Sequence, residues 1–191
     1  MRFDRRQGDA QFVLRYQPES SYDCVHSSHC LEHMKDPAAA LRDWWALVKP
    51  GGYMIIVVPD EDLYEQGAWP SLFNTGHEST FRMGGTSSWS PVSNDIAEAI
   101  GNLPQVEIIT AKRQDAGYDD RFRLHGITGK QRKAYRTFRL FIAPLLFLLG
   151  KRAPLLYRLL QRLGLPIDQT LGPALAQLEI VARKRATLPA G

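Results

Sequence analysis

Cysteine is scarce in this 191-residue sequence, which contains only Cys24 and Cys30. Two cysteines cannot build the disulfide framework of a small secreted domain, so we expect both to be reduced in a cytoplasmic protein. The N-terminal segment is charged, and no apolar stretch of a secretory signal follows it. The longest apolar stretch, residues 140–149, contains Pro144 and is about half of the ~20 residues that cross a bilayer. The sequence therefore does not predict a secreted or membrane-spanning protein.

Acidic residues are absent from one long segment. Residues 121–167 hold eleven Lys or Arg and no Asp or Glu, whereas the remainder holds thirteen bases and twenty acids. We expect this segment to be a helical insert with breaks at Pro144 and residues 150–154. Its bases alternate with apolar residues, so residues 130–163 could lie on the anionic inner face of the membrane. The alternative is a helical cap over a sheet with solvated bases; no nucleic-acid partner is expected.

A strand–helix–strand unit is predicted in the first third of the chain. Residues 22–27 are typical of a short strand, and Asp36-Pro37 is typical of a helix start. An apolar stripe at helical spacing consists of Leu41, Trp44, Trp45 and Val48. Residues 49–52 should end this helix, and residues 53–58 form an uninterrupted apolar run. Such a run favours a parallel strand buried on both faces, with ligands bound beyond the carboxyl ends of the strands.

The rest of the chain predicts three further features. Residues 63–91 are rich in Gly, Ser, Pro and aromatics, so we expect an irregular lobe over the strand ends. A short helix is expected at residues 94–100. Residues 105–112 and 177–184 share one pattern and predict an antiparallel strand pair.

Several of these segments, in this order, resemble the motifs of class I S-adenosylmethionine-dependent methyltransferases. They are Gly8-Asp9-Ala10 (adenine loop), residues 22–25 (fourth strand), Leu31-Glu32-His33 with Asp36-Pro37, residues 48–53 (turn into the fifth strand) and residues 177–184 (last strand). The resemblance implies a single α/β domain over residues 1–191 with a Rossmann-like sheet, a C-terminal antiparallel strand pair and the helical insert. It also implies S-adenosylmethionine as cofactor and methylation as reaction.

The resemblance also assigns roles to individual residues. Asp9 and Ala10 would contact the adenine, and Ser28 and His29 would line the methionine end of the cofactor. Asp9 could instead be a plain cap or turn residue. Glu32 and His33 would face the methyl acceptor, where in related enzymes of this fold such a pair can bind a divalent ion or act in proton transfer. The structural alternative is a pair that fixes the loop.

Three residues of the lobe suit an acceptor pocket. Trp69 and His77 could stack on a sugar ring, and Asn74 could supply paired hydrogen bonds. The alternative is a lobe that packs its own aromatic residues. This stretch, with residues 168–172, resembles a bacterial subgroup associated with polysaccharide biosynthesis, which implies a glycan-like acceptor.

The chain departs from the family pattern at its N-terminus. No Gly-x-Gly pair occurs in the sequence, and no acidic residue follows a second strand, because the resemblance begins at about the third strand. We therefore expect an N-terminally truncated form of the sheet. The main alternative to a methyltransferase is a non-catalytic remnant of this fold, associated with a membrane surface.

Residues 29–33, His-Cys-Leu-Glu-His, also fit the H-x-x-E-H pattern of a zinc hydrolase. That pattern requires His29 and His33 on one face of a helix. The helix start at Asp36 leaves little room for it, and a Cys24/His26/Cys30/His33 knot is disfavoured because alternation along a strand scatters the ligands. We therefore predict no metal site and retain the zinc hydrolase only as a distant alternative.

Overall fold

A mixed four-stranded sheet carries the fold in this computed structural model, which describes residues 3–4, 6–85, 87–149 and 153–186. The strands are β1 Tyr22–Ser28, β2 Val48–Pro59, β3 Thr80–Arg82, β4 Ser93–Asp95, β5 Val106–Gln114 and β6 Gln177–Lys184. The helices are α1 Pro37–Ala46, α2 Ile96–Gly101, α3 Gly129–Leu149 and α4 Ala153–Arg162. The main sheet has the order β1-β2-β6-β5, so the predicted α/β class is confirmed.

The β1–α1–β2 unit has the predicted parallel pairing, with Ser28 opposite Val57. The Asp36 carboxylate caps α1 by accepting a hydrogen bond from the Ala39 amide at 2.8 Å. The predicted end of α1 is wrong, because the helix stops at Ala46 and Val48 already belongs to β2. The reason is pairing with β1, since Val48 lies opposite Tyr22.

The predicted antiparallel pair is confirmed, and it is joined to the rest of the sheet through β6. This strand runs antiparallel to both β2 and β5 and lies between them. The C-terminal strand of the described chain is therefore the central element that connects the βαβ unit to β5.

The hydrophobic core lies on one face of the sheet, against α1 and α2. Alternate residues of the two central strands point into it: Met54, Ile56 and Val58 of β2, and Leu178, Ile180 and Ala182 of β6. The helices contribute Leu41, Trp44 and Trp45 of α1, and Ile96 and Ile100 of α2. On the opposite face, Tyr53 is exposed and Ile55 is half-buried. The prediction that this run is buried on both faces is thus wrong for its first half.

The lobe expected to be irregular contains the regular strand β3, and β4 lies just beyond the end of the lobe. The strands β3 and β4 pair in parallel, and an isolated bridge joins Asp60 to Phe81. Buried Glu61 binds this lobe together, because its carboxylate accepts hydrogen bonds from Thr80 at 2.9 Å and Ser93 at 2.6 Å. The short helix α2 begins at Ile96 and is capped by Asp95, two residues after the predicted start.

The basic segment forms two helices, but the predicted break at Pro144 is wrong. The helix α3 continues through Pro144, which is solvent-exposed. The second predicted break falls partly on residues 150–152, which lie outside the described residues. None of the described helices has both the length and the hydropathy needed to span a bilayer.

Two isoleucines test this account of the core. Ile180 in β6 is 0% exposed, whereas Ile109 in β5 is 49% exposed. We expect Ile180→Ala to lower the free energy of unfolding by about 2–5 kcal/mol, because it leaves a cavity in the core. Ile109→Ala, the matched control, should cost less than about 1 kcal/mol. Urea denaturation measures both, and equal losses would contradict the one-sided core.

Candidate active site

A cleft of about 950 Å³ lies at the carboxyl end of β1. Its lining residues come from the N-terminal segment, from the loop after β1 and from the lobe: Phe3, Asp4, Gly8, Asp9, Ala10, His29, Cys30, His33, Met34 and Gly76. The fold therefore brings together four of the predicted site residues, which are separated by up to two dozen positions in the sequence. Ser28, the fifth nearby candidate, is exposed at the end of β1 and is not part of this lining.

The N-terminal wall of the cleft is held by Asp9. One oxygen of its carboxylate, Oδ1, accepts a hydrogen bond from the Gln11 amide at 2.9 Å and caps the short helix Ala10–Arg15. Gly8 precedes it with φ of 150°, and a Cβ there would lie 2.6 Å from the Tyr16 ring. Glycine is therefore required at position 8, and the exposed Asp9 has a second oxygen available to a ligand.

His29 forms the wall nearest the end of β1. Its Nε2 donates a hydrogen bond to Gln177 Oε1 at 2.9 Å, and its Nδ1 lies 3.6 Å from Glu32 Oε1. The interaction with the Glu32 carboxylate raises the pKa of His29, and the Gln177 contact adds to this increase, although burial opposes it. A cationic imidazolium at this position is thus favoured by both of its neighbours.

Glu32 and His33 lie on a single 3₁₀ turn, Leu31–His33. The Glu32 side chain is buried, whereas His33 faces the cleft and donates from Nδ1 to the Gly76 carbonyl at 2.7 Å. His33 Nε2 lies 3.9 Å from Glu32 Oε1. Because residues 29–33 do not form an α-helix, the helical arrangement that the zinc-hydrolase alternative requires is not present.

His77 lies beside this pair and not on an open stacking surface. It is buried, its Nδ1 is 2.7 Å from Glu65 Oε1, and its ring centroid is 5.1 Å from that of His33. Ligand atoms of Glu32, His33 and His77 lie within 4.8 Å of one another, so these three side chains could hold a metal ion. Sequence reasoning missed Glu65, although its position just beyond the carboxyl end of β2 was the available signal.

The other two lobe residues lie elsewhere. Trp69 lines a separate cavity of about 480 Å³ with Thr75, Arg132 and Arg136. Asn74 Oδ1 accepts a hydrogen bond from the Gly76 amide at 3.0 Å and so stabilises the turn beside the cleft. The three predicted acceptor-binding residues therefore do not share one pocket.

Cys30 is the one thiol in the cleft lining. Burial raises its pKa, and the negative charges of Glu32 and Asp9 raise it further. Cys24, by contrast, is exposed on β1. Since the thiolate is the nucleophile, a raised pKa makes Cys30 the slower thiol near neutral pH.

Alkylation by iodoacetamide tests this electrostatic description. We expect Cys30 to react more slowly than Cys24 at about pH 7 and the ratio of the two rates to narrow towards about pH 10, as the Cys30 thiol ionises. The steric difference between the two sites does not depend on pH, so the narrowing reports the pKa. Peptide mass spectrometry measures both rates in one sample, and a ratio independent of pH would contradict the raised pKa.

Comparisons with known proteins identify one domain family and several solved structures that are similar to this chain. Residues 3–89 match the family model of a methyltransferase domain. None of the curated proteins matches the chain at a significant level.

Several solved structures are similar to the chain at low sequence identity. A Bacillus halodurans C-125 protein described as a candidate methyltransferase has a TM-score of 0.48 and 14% identity, over 94% of this chain and 76% of that one. The YcgJ protein of Bacillus subtilis has a TM-score of 0.47 and 14% identity, over 95% and 70%. A SAM-dependent methyltransferase from Archaeoglobus fulgidus has a TM-score of 0.44 and 15% identity, over 93% and 66%.

Proposed function

We propose that the cleft at the end of β1 binds S-adenosylmethionine for methylation of a small-molecule acceptor. Residues 3–89 match the family model of a methyltransferase domain, and the cleft lies beyond the carboxyl end of a parallel strand of an α/β sheet. The observation that carries the proposal is the convergence of Asp9, Ala10, His29 and His33 on one cleft. Its volume of about 950 Å³ is at the upper end of typical ligand sites.

The residues of the cleft fit the parts of this cofactor. The Asp9 carboxylate can accept a hydrogen bond from the adenine amino group while its other oxygen caps the following turn. Asp4 is a second carboxylate in the lining and a candidate partner for the ribose hydroxyls. His29, with Ser28 before it, lies at the strand end where the methionine part would extend.

His33 is the candidate proton acceptor. When bound, S-adenosylmethionine supplies an electrophilic methyl group and departs as S-adenosylhomocysteine, with the electron pair of the broken S–C bond on sulfur. The acceptor's hydroxyl or amine proton would pass to His33 Nε2, because Nδ1 already donates to the Gly76 carbonyl. The buried Glu32 carboxylate, 3.9 Å from Nε2, would stabilise the imidazolium.

The acceptor would bind through the lobe of residues 63–91. Thr75 lines the cavity beside Trp69, and its neighbour in sequence, Gly76, lines the main cleft, so the proposal places the acceptor along this segment. Arg132 and Arg136 supply two guanidinium groups to this cavity, and Trp69 supplies an aromatic face. A glycan-like acceptor with an anionic group fits this combination.

Asp9→Ala tests the cofactor assignment. We expect it to weaken binding of S-adenosylhomocysteine by about tenfold or more, because a hydrogen bond to a charged acceptor is lost. Titration calorimetry measures the dissociation constant. Asp115→Ala, in an exposed turn after β5, is the matched control and should bind as the unaltered chain does.

Three outcomes of that titration are informative. Loss of affinity in Asp9→Ala alone supports the assignment. Equal affinity in both variants would place the adenine elsewhere. Failure of the unaltered chain to bind would favour the alternative of a non-catalytic remnant with this fold.

A second function, association with an anionic membrane surface, is favoured by exposed apolar side chains of α3 and of the turn after α4. Phe141, Phe147, Leu148 and Leu163 are exposed by 74%, 76%, 80% and 64%. They lie in the segment 121–167, which has eleven bases and no acid. Apolar side chains among cations are the combination that inserts into the interface of anionic lipids.

Vesicle co-sedimentation tests this second function. We expect the chain to pellet with vesicles containing phosphatidylserine and not with pure phosphatidylcholine, and to be released by salt. Phe147→Ser should weaken the interaction by about tenfold. Phe12→Ser is the control, because Phe12 is 43% exposed outside the basic helices. Equal pelleting with both kinds of vesicle would contradict the proposal.

A further inference from the structure

Two cavities meet at a pair of arginines on α3. Arg132 and Arg136 line the cavity of about 480 Å³ beside Trp69. They also line a second cavity of about 370 Å³, to which Lys133 and Thr137 contribute. The two arginines are four positions apart, so their side chains lie on one face of the helix. Both guanidinium groups can therefore be reached from either cavity.

The protein leaves the charge of these side chains uncompensated. Within the part of the chain that the structure describes, no carboxylate forms an ion pair with Arg132, Lys133 or Arg136, and no Asp or Glu lines either cavity. Like charges four positions apart on a helix repel each other. A bound anion would turn this repulsion into attraction.

Arg132 is held in place without being neutralised. Its Nη1 donates a hydrogen bond to the Pro70 carbonyl, an uncharged acceptor, at 2.8 Å. A guanidinium has several N–H donors in one plane, so most of them stay available to a ligand. An arginine fixed in this way loses less side-chain entropy when it binds an anion.

Trp69 has an indole N–H without a partner among the described residues. The other three tryptophans each donate from Nε1, to Ala10 O at 2.8 Å, to Pro104 O at 2.9 Å and to Asp62 Oδ1 at 3.0 Å. Trp69 is half-buried, and an indole that is withdrawn from water usually finds an acceptor. A ring compound with hydroxyl groups could stack on the indole and accept this hydrogen bond.

We infer that the two cavities together bind a phosphorylated sugar, with its phosphate monoester against Arg132, Lys133 and Arg136 and its ring against Trp69. A phosphate monoester carries about −1.5 to −2 charges near neutral pH, which suits three neighbouring cations better than a carboxylate does. It also accepts paired hydrogen bonds from an arginine. This ligand is the methyl acceptor only if the proposed function holds, whereas the phosphate site itself requires neither the cofactor nor methyl transfer.

A phospholipid headgroup offers the same chemical group to the three bases. Phosphatidate, however, has no ring to stack on Trp69, so the unpartnered indole favours the sugar phosphate. Glucose 1-phosphate and phosphatidate vesicles are therefore the probes that separate the two sources of phosphate.

Calorimetric titration of the 191-residue chain with glucose 1-phosphate, in the absence of cofactor, tests the inference. We expect one site per chain with a dissociation constant below about 1 mM and no measurable binding of glucose. Arg136→Gln should weaken binding by about tenfold or more, because a charge-assisted hydrogen bond is lost. Arg136 is exposed, so this variant should keep the fold.

Arg158→Gln is the matched control. It removes the same charge from an exposed position of α4, in a cavity that neither Trp69 nor Arg136 lines. The variant should bind glucose 1-phosphate as the unaltered chain does.

Trp69→Ala separates the two halves of the ligand. It should weaken binding of glucose 1-phosphate by about tenfold, because the ring loses its stacking surface. Binding of inorganic phosphate should be unchanged, because the three bases remain. Circular dichroism confirms that each variant is folded.

Three results would overturn the inference. The first is failure of the unaltered chain to bind glucose 1-phosphate. The second is equal weakening in Arg136→Gln and Arg158→Gln, which would indicate unspecific attraction to the basic helices. The third is binding of phosphatidate vesicles alone, which would make a lipid headgroup the ligand. Glucose 1-phosphate binding in a chain that does not bind S-adenosylhomocysteine would support this site and contradict the methyl transfer.

Discussion

The parallel pairing of β1 with β2 is the constraint on which the rest of the structure depends. Parallel strands end at the same edge of a sheet, so the loops after Ser28 and Pro59 meet there. The side chains that follow these strands are acidic or imidazole-bearing, and several are buried. Most of the contacts at this edge compensate the negative charge of buried carboxylates.

Four acids at this edge are compensated in different ways. Asp60 forms a two-pronged ion pair with Arg113 at 2.7 and 2.9 Å, and it also caps the turn that follows β2. Glu61 accepts hydrogen bonds from hydroxyl groups of the lobe. Glu65 is paired with His77. Glu32 Oε1 lies 3.6 Å from His29 Nδ1 and 3.9 Å from His33 Nε2, and its other oxygen, Oε2, has no hydrogen-bond partner among the described residues.

Local structure was predictable from the sequence because its causes are local. The cap at Asp36 and the apolar stripe of α1 depend on residues within four positions of one another. The end of α1 was missed because Val48 is drawn into β2 by its pairing with Tyr22, a contact outside any helical window. The position of β6 between β2 and β5 was equally invisible, since strand order depends on contacts across more than a hundred residues.

In the candidate site, too, features with local causes were predictable and features that depend on distant contacts were not. Asp9, His29 and the Glu32-His33 pair were identified from a short ordered set of motifs, and the fold brings them to one cleft or to its floor. The placement of His77 was missed, because a histidine 44 positions after His33 reaches it only through the fold of the lobe. Periodicity carries no information about such a contact, and the only signal for Glu65, the carboxylate that holds His77, was its position just beyond the carboxyl end of β2.

Chemical-shift mapping with S-adenosylhomocysteine tests the central claim most directly. The ligand should be titrated into the ¹⁵N-labelled chain and followed by the backbone amide resonances. Binding in the cleft predicts saturable shifts at Gly8–Ala10, at residues 29–34 and at Gly76, with little change along β5. Shifts confined to α3 and α4, or no shifts at all, would contradict the assignment of the cleft as the cofactor site.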